Sequence, residues 1–194
     1  QAFKFSVEIP KGVLEPRSNR VDLVVYVPNK ADVTIKTLDG SIEAKKTINT
    51  VTAETETGDI TITNHGSVNA KSAKGKVQVQ PMYAGWGEIK IEAGEGEAIA
   101  FLPDTENMSL EVTGATELNT EFELEGELPG PLKLVRGLGN DKYSIQAAGP
   151  VKVFKTVKPK RGRGGSMYGT IRMEMAQEAE RLEKMANNSG KNLF

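Results

Sequence analysis

Short runs of alternating apolar and polar residues recur along this chain, each ended by a glycine beside a polar residue. Glu56-Thr57-Gly58-Asp59-Ile60-Thr61-Ile62-Thr63 is the clearest instance. Asp39-Gly40, Lys74-Gly75, Gly94-Glu95-Gly96 and Gly114 repeat the punctuation, with steps of 18, 17, 19 and 20 residues from Gly40 through Gly58, Gly75 and Gly94 to Gly114. A fixed period of about 20 residues is the mark of a stacked repeat. The runs predict paired strands at 33–37 and 41–44, 51–54 and 60–63, 67–71 and 76–80, 88–92 and 98–102, and 108–112 and 118–124. In each, every second residue is apolar, so the apolar set shares one face. No single turn buries that face alone. Stacked turns make a continuous core in which each touches its neighbours. The predicted fold is all-β, a β-solenoid or β-helix-like stack of short strands, with a sandwich as the competing arrangement.

The flanks read differently. Phe3, Phe5, Val7 and Ile9 alternate with polar residues and predict a half-buried strand closed by Pro10. Residues 21–27 predict a second strand, more continuously apolar and so more buried. After a Gly/Pro-rich break at 125–131, residues 132–135, 143–146 and 151–154 predict the last strands. Residues 158–169 form a basic, Gly-rich linker. From 170 the period changes to helical: Ile171, Met175, Ala179, Leu182 and Ala186 share one face, and Asn187-Asn188-Ser189-Gly190 stops the helix. The predicted organisation is a β-solenoid domain at 1–157, a linker at 158–169 and a C-terminal amphipathic α-helical tail at 170–194.

"VVYVPNKADVTIKT", "TLDGSIEA", "TETGDITI", "AKGKVQV" and "AIAFLPDTENMSLEVTGATELNTEF", in that order, resemble a bacterial and archaeal adhesin-type family of unknown function, the DUF4097 type. Its pattern is a repeated Thr-x-x-Gly-Asp-[Val/Ile] turn followed by a Leu-Pro segment and a strand. Leu102-Pro103 through Val112 fits the second part. The resemblance spans roughly residues 20–155 and implies a solenoid-like body in an exported or cell-surface setting. It brings no catalytic residues, and it does not extend to the tail.

Composition narrows the chemistry. The chain of 194 residues has no Cys, which excludes disulfides, thiolate metal sites and a Cys nucleophile. No apolar run reaches the ~20 residues that span a bilayer. The chain starts at Gln1 rather than Met, and the expectation is an extracellular or cell-surface protein whose leader is removed before Gln1. Net charge is −1, yet residues 151–194 carry ten Lys/Arg and four Glu, which leaves an acidic body and a basic tail.

Candidate chemistry is sparse. His65 is the sole histidine and reads as a turn residue. Glu54, Glu56, Asp59, Glu92, Glu95 and Glu97 are spread along strand exteriors, not paired in a cleft as glycoside hydrolysis requires. The Asp residues are scattered, and no Asp-rich loop offers the converging oxygens of a Ca²⁺ site. Gly94-Glu95-Gly96 and the Gly162–Gly165 run lack the strand–turn–helix setting of a phosphate loop. The pairs Thr50/Thr52, Thr55/Thr57 and Thr61/Thr63 fall within one turn and read as exposed strand positions, not as an ice-binding ladder. Residues 152–163 hold six basic residues and read as a solvated linker, with contact to the acidic body of a neighbouring copy as the alternative. Trp86, the only indole, reads as a plug between turns. The expected protein is therefore non-enzymatic, without metal or cofactor. It is a structural or adhesive surface protein forming a homo-oligomer or filament, with cell-surface or glycan partners and no nucleic acid. The expected contact residues are Phe3, Phe5, Val7 and Ile9 of the first strand and Ile171, Met175 and Leu182 of the helix. The alternative is a carbohydrate-binding or polysaccharide-processing β-helix protein, in which Trp86 stacks on a sugar.

Overall fold

Alternation such as Ile60 and Ile62 against Thr61 and Thr63 leaves a strand one stable setting, with its apolar side inward. The computed structural model describes residues 23–28, 30–64, 66–81 and 87–156. The described residues form β1 (Val33–Thr37), β2 (Ile42–Lys45), β3 (Val51–Thr55), β4 (Ile60–Asn64), β5 (Val68–Ser72), β6 (Val77–Pro81), β7 (Ile89–Ala93), β8 (Ala98–Pro103), β9 (Met108–Thr113), β10 (Leu118–Thr120), β11 (Leu132–Val135), β12 (Asp141–Ala147) and β13 (Val151–Thr156). They lie in two sheets, ordered β1-β3-β5-β7-β12-β9-β11 and β10-β13-β8-β6-β4-β2. Successive coils each give one strand to each sheet, β11 adds a seventh strand to the first, and all strand pairings are parallel except β9 with β11. The predicted all-β stack of short strands is therefore present. The predicted C-terminal helix lies outside the described residues.

Register turns the sequence period into columns. Val33, Val51, Val68 and Ile89 are neighbours in one sheet, as are Ile42, Ile60, Val77 and Ala98 in the other. Val51, Ile60, Ile62, Val77, Val79 and Ile91 are completely buried between the sheets. Each contributes roughly 1.5–3 kcal/mol of transfer free energy.

The turn glycines form a column of their own. A Cβ on Gly58 would lie 1.9 Å from the carbonyl oxygen of Gly40; on Gly75, 2.0 Å from that of Gly58; on Gly96, 2.0 Å from that of Gly75. What these positions require is the absence of a side chain, because the preceding turn's backbone occupies that space. Hydroxyls lock the same corner. Thr55 Oγ1 donates to the Gly40 carbonyl (3.2 Å) and accepts from Gly58 N–H (3.1 Å). Ser72 repeats this one coil later, donating to the Gly58 carbonyl and accepting from Gly75 N–H, both at 2.9 Å. Thr55 is thus buried, not an exposed strand position as the sequence suggested.

The turn aspartates also bridge coils. Asp32 Oδ1 accepts from Thr50 N–H (3.1 Å), Asp39 Oδ1 from the Thr57 hydroxyl (2.7 Å) and Asp59 Oδ1 from Lys76 N–H (2.7 Å). At the opposite corner, buried Asn64 donates to the carbonyls of Asn49 (3.0 Å) and Ser67 (3.3 Å) and accepts from the Thr47 hydroxyl. The Asn64 bonds satisfy polar groups that burial would otherwise penalise.

Three expectations are corrected. First, coil order does not follow chain order. β12 lies between β7 and β9, and β13 between β8 and β10, so the last coil is inserted between the fourth and fifth. The linear stack in which each turn touches only its sequence neighbours stops at β8. Second, the predicted 21–27 strand is not formed in its described part: residues 23–28 carry no ladder, and Leu23 to Val27 are exposed. Third, the strand predicted at 118–124 ends at Thr120, where the Thr120 hydroxyl accepts from Phe122 N–H (3.0 Å) and Phe122 turns into the core.

Candidate interaction surface

Strand parity decides what the two outer faces display. On the β1–β3–β5–β7 sheet, Lys36, Glu54, Lys71 and Glu92 occupy one column of alternating sign. Lys36 pairs with Glu54 at 2.7 Å, and Glu92 pairs with Lys71 at 2.8 Å and Lys90 at 2.6 Å. The hydrogen bond from Lys71, then that from Lys90, holds the Glu92 carboxyl below its ordinary value of 4.5. A depressed carboxyl contributes stability above its unfolded-state pKa and loses it as pH falls through the folded value. Glu92→Gln is therefore expected to cost about 0.5 kcal/mol at pH 7 and less at pH 2, since the lysine partners are exposed. Urea melts at the two pH values check it; an equal cost at both would refute the ladder's role.

The other sheet shows Glu43, Thr61, Gln78, Ile99 and Lys152 in one outer column. Phe101 and Phe154 are register neighbours on the same outer side, stacked at 5.6 Å, and both are buried. They offer no open aromatic platform. Near them Asp104 binds Arg136 and Lys155, the latter at 3.2 Å. Burial acts against the Asp104 charge, but Lys155 and Arg136 outweigh it and keep its pKa low. Burial, helped by Asp141, pushes the Tyr143 hydroxyl above its ordinary value, so it stays protonated. The Arg136–Asp104 pair ties the β11–β12 loop to the body. Among the described residues no group of three or more His, Asp or Glu is placed to hold a metal ion.

The two ends of the stack differ from its middle. Among the described residues, the exposed large apolar ones are Leu23, Val24, Val25, Tyr26, Val27, Leu38, Ile48, Leu128, Val135 and Leu138. The first seven belong to the first coil and the segment before it; the last three belong to β11 and its adjoining loops. Among the described residues, the coils from β3 to β8 carry none. Val33 and Ile35 of β1 are only half-buried, whereas their neighbours Val51 and Ala53 are fully covered. Val33, Ile42 and Lys46 N–H groups point inward, to Thr50, Asp59 and Thr63 carbonyls. By strand alternation the N–H groups of Thr34, Lys36, Glu43 and Lys45 face out of the edge. Such an edge is a template for another strand.

Phe3, Phe5, Val7, Ile9, Ile171, Met175 and Leu182, together with His65 and Trp86, lie outside the described residues. Glu54 and Glu92 belong to the ion-pair ladder, Glu97 pairs with Lys152 at 2.7 Å, and Asp59 clamps a turn. None of these carboxylates is brought into a cleft. Sequence reading missed the apolar ends. Aligning the coils reveals one signal, since Leu38 stands where the next turn has Glu56.

A family model described as Toastrack DUF4097 matches residues 5–123. The match stops before β12 and β13, which complete both sheets. No curated protein and no solved structure matches the chain.

Proposed function

The chain belongs to the Toastrack DUF4097 family, and from that premise we propose that it is a non-enzymatic structural or adhesive protein of the cell surface or exterior that self-associates end to end. One observation carries this reading: exposed large apolar residues cluster at the two ends of the stack and are missing from its described middle. Apolar area at both ends of a rod favours burial against another rod's end. Contacts that do not close generate a filament. The strand of Phe3, Phe5, Val7 and Ile9 and the helix of Ile171, Met175 and Leu182 belong, in this reading, to the same end contacts.

Val135 and Leu138 are the most exposed apolar residues at the β11 end. The double substitution Val135→Asp/Leu138→Asp is expected to leave thermal stability almost unchanged, because neither side chain is in the core. It is expected to abolish concentration-dependent growth of the particle mass. Multi-angle light scattering on both proteins, with electron microscopy of the native one, checks this. A native protein that stays monomeric at every concentration sinks the reading.

A further inference from the structure

We propose that residues 24–28 are a strap of this same chain, poised to close onto the β2 edge as the strand of a further coil and so to gate association at that end; the gating rests on the self-association reading. The repeat register supplies the placement. Eighteen residues separate Ile42 from Ile60 and Ala44 from Ile62. One period earlier, Val24 falls beside Ile42, Val25 beside Glu43, Tyr26 beside Ala44 and Val27 beside Lys45. Val24 and Tyr26 then extend two inward columns of that sheet. In the structure these two residues are instead 74% and 94% exposed.

The stack already uses such a strand. β6 and β8 lie in the same sheet as β2, and both end on proline, Pro81 and Pro103, as residues 24–28 end on Pro28. Proline has no N–H to give. The β6–β8 ladder accordingly stops at Val79 and Ala100, before Pro81. Four residues then separate Pro103 from Met108 of β9, and four separate Pro28 from Val33 of β1. Both connections lead to a strand of the other sheet. A closed 24–28 strand therefore reaches β1 by a route the chain takes elsewhere, and no second molecule is needed. A segment on so short a tether has an effective concentration on the order of millimolar at its edge, which favours it over the same segment of another copy in dilute solution.

The edge is built to receive it. Ile42 N–H donates to the Asp59 carbonyl, one residue before its partner Ile60. By the same rule, Val24 N–H meets the Ser41 carbonyl and Tyr26 N–H the Glu43 carbonyl. The outward N–H groups of Glu43 and Lys45 meet the carbonyls of Val24 and Tyr26. Val24 and Tyr26 then roof the interior that Val33 and Ile35 leave half-open. The open arrangement has a turn of its own, with Ala31 N–H donating to the Pro28 carbonyl at 2.9 Å; among the described residues the turn after Pro103 makes no such bond. Loss of that turn bond is offset by the new ladder and the apolar side chains it covers, so the chain exchanges between two arrangements. Open, the β2 edge is a template for another strand; closed, it is paired. Association at the first-coil end draws on the open arrangement alone.

The absence of cysteine makes the test clean. In the full chain, Val25→Cys with Glu43→Cys sets two outward side chains side by side in the closed register, within bridging reach. Mild oxidation in dilute solution is expected to give a bridged monomer on a non-reducing gel. Its yield is expected to be at least tenfold that of Val25→Cys with Thr61→Cys, whose second position lies one strand further in. Amide exchange followed by NMR reads the unbridged chain. Glu43 and Lys45 amides are expected to exchange at least tenfold slower in the native protein than in Val24→Asp/Tyr26→Asp, which alters no core residue. A covalent dimer in place of the bridged monomer, equal bridging to position 61, or equal exchange in the two proteins overturns the closure. Light scattering on the bridged protein is expected to show growth that stops at a dimer or below and resumes with reductant. A bridged protein that grows as the reduced one does overturns the gating. A native protein that never associates sinks the end-to-end reading instead, while bridging and exchange, both read on the monomer, still decide the closure.

Discussion

Ending the chain at Asn140 is expected to abolish cooperative folding, although it spares every residue the family match covers and all strands through β11. The lost strands β12 and β13 are central in both sheets, not terminal. They carry Tyr143, Ile145, Val151 and Val153, all buried. At roughly 1.5–3 kcal/mol each, these four alone approach the 5–15 kcal/mol by which a whole domain is stable. The deletion also separates β7 from β9 and β8 from β10, because neither pair has a ladder of its own. Circular dichroism during a urea titration is expected to show no sigmoidal transition for 1–140. A chain ending at residue 157 keeps one, since both sheets are then complete. A cooperative transition in the shorter chain would mean that the fifth coil can close directly on the fourth.

Gly75→Ala is the point substitution with the largest expected effect. The added methyl would lie 2.0 Å from the Gly58 carbonyl oxygen and 2.4 Å from its carbon. Both atoms are backbone, and the Ser72 hydroxyl that bonds the Gly58 carbonyl and Gly75 N–H fixes their separation. No rotamer change relieves the clash, so two coils must part and their ladder must stretch. The expected cost is about 3 kcal/mol or more, at the upper end for overpacking. For a chain of this size that lowers the melting temperature by roughly 6–12 °C. Lys74→Ala, one residue away and exposed, is expected to stay within about 0.5 kcal/mol. Calorimetry on the three proteins decides; a loss below about 1 kcal/mol at Gly75 would show that the turns are not in contact.

Legibility in the sequence follows the range of the interaction. The strands about Gly40, Gly58, Gly75 and Gly96 were readable because period-two alternation and a turn residue are local signals. The residues 21–27 were read as buried because their composition matches a strand. Burial, however, requires a partner edge, and no strand pairs with residues 23–27. Glycine, Thr and Asp at the corners were recognised as turn residues, but the reason for them lies one coil away. Gly75 is bare because of Gly58, Ser72 bonds across to Gly58, and Asp59 reaches Lys76. The ends escaped notice because exposure of Val135 or Ile48 depends on where the stack stops, which no local pattern records.

By itself, the sequence determined the class of this protein: short half-buried strands, a repeat of about 20 residues, and an inward apolar face on each strand. Those follow from the alternation of side chains along an extended backbone, which holds whatever the chain meets later. Only the tertiary structure decided the order of the coils. Parallel strands pair by edge and register, and it is β12, not the next strand β9, that takes the free edge of β7. That choice, made between residues far apart in the chain, sets which strands close the stack and therefore which apolar residues face outward.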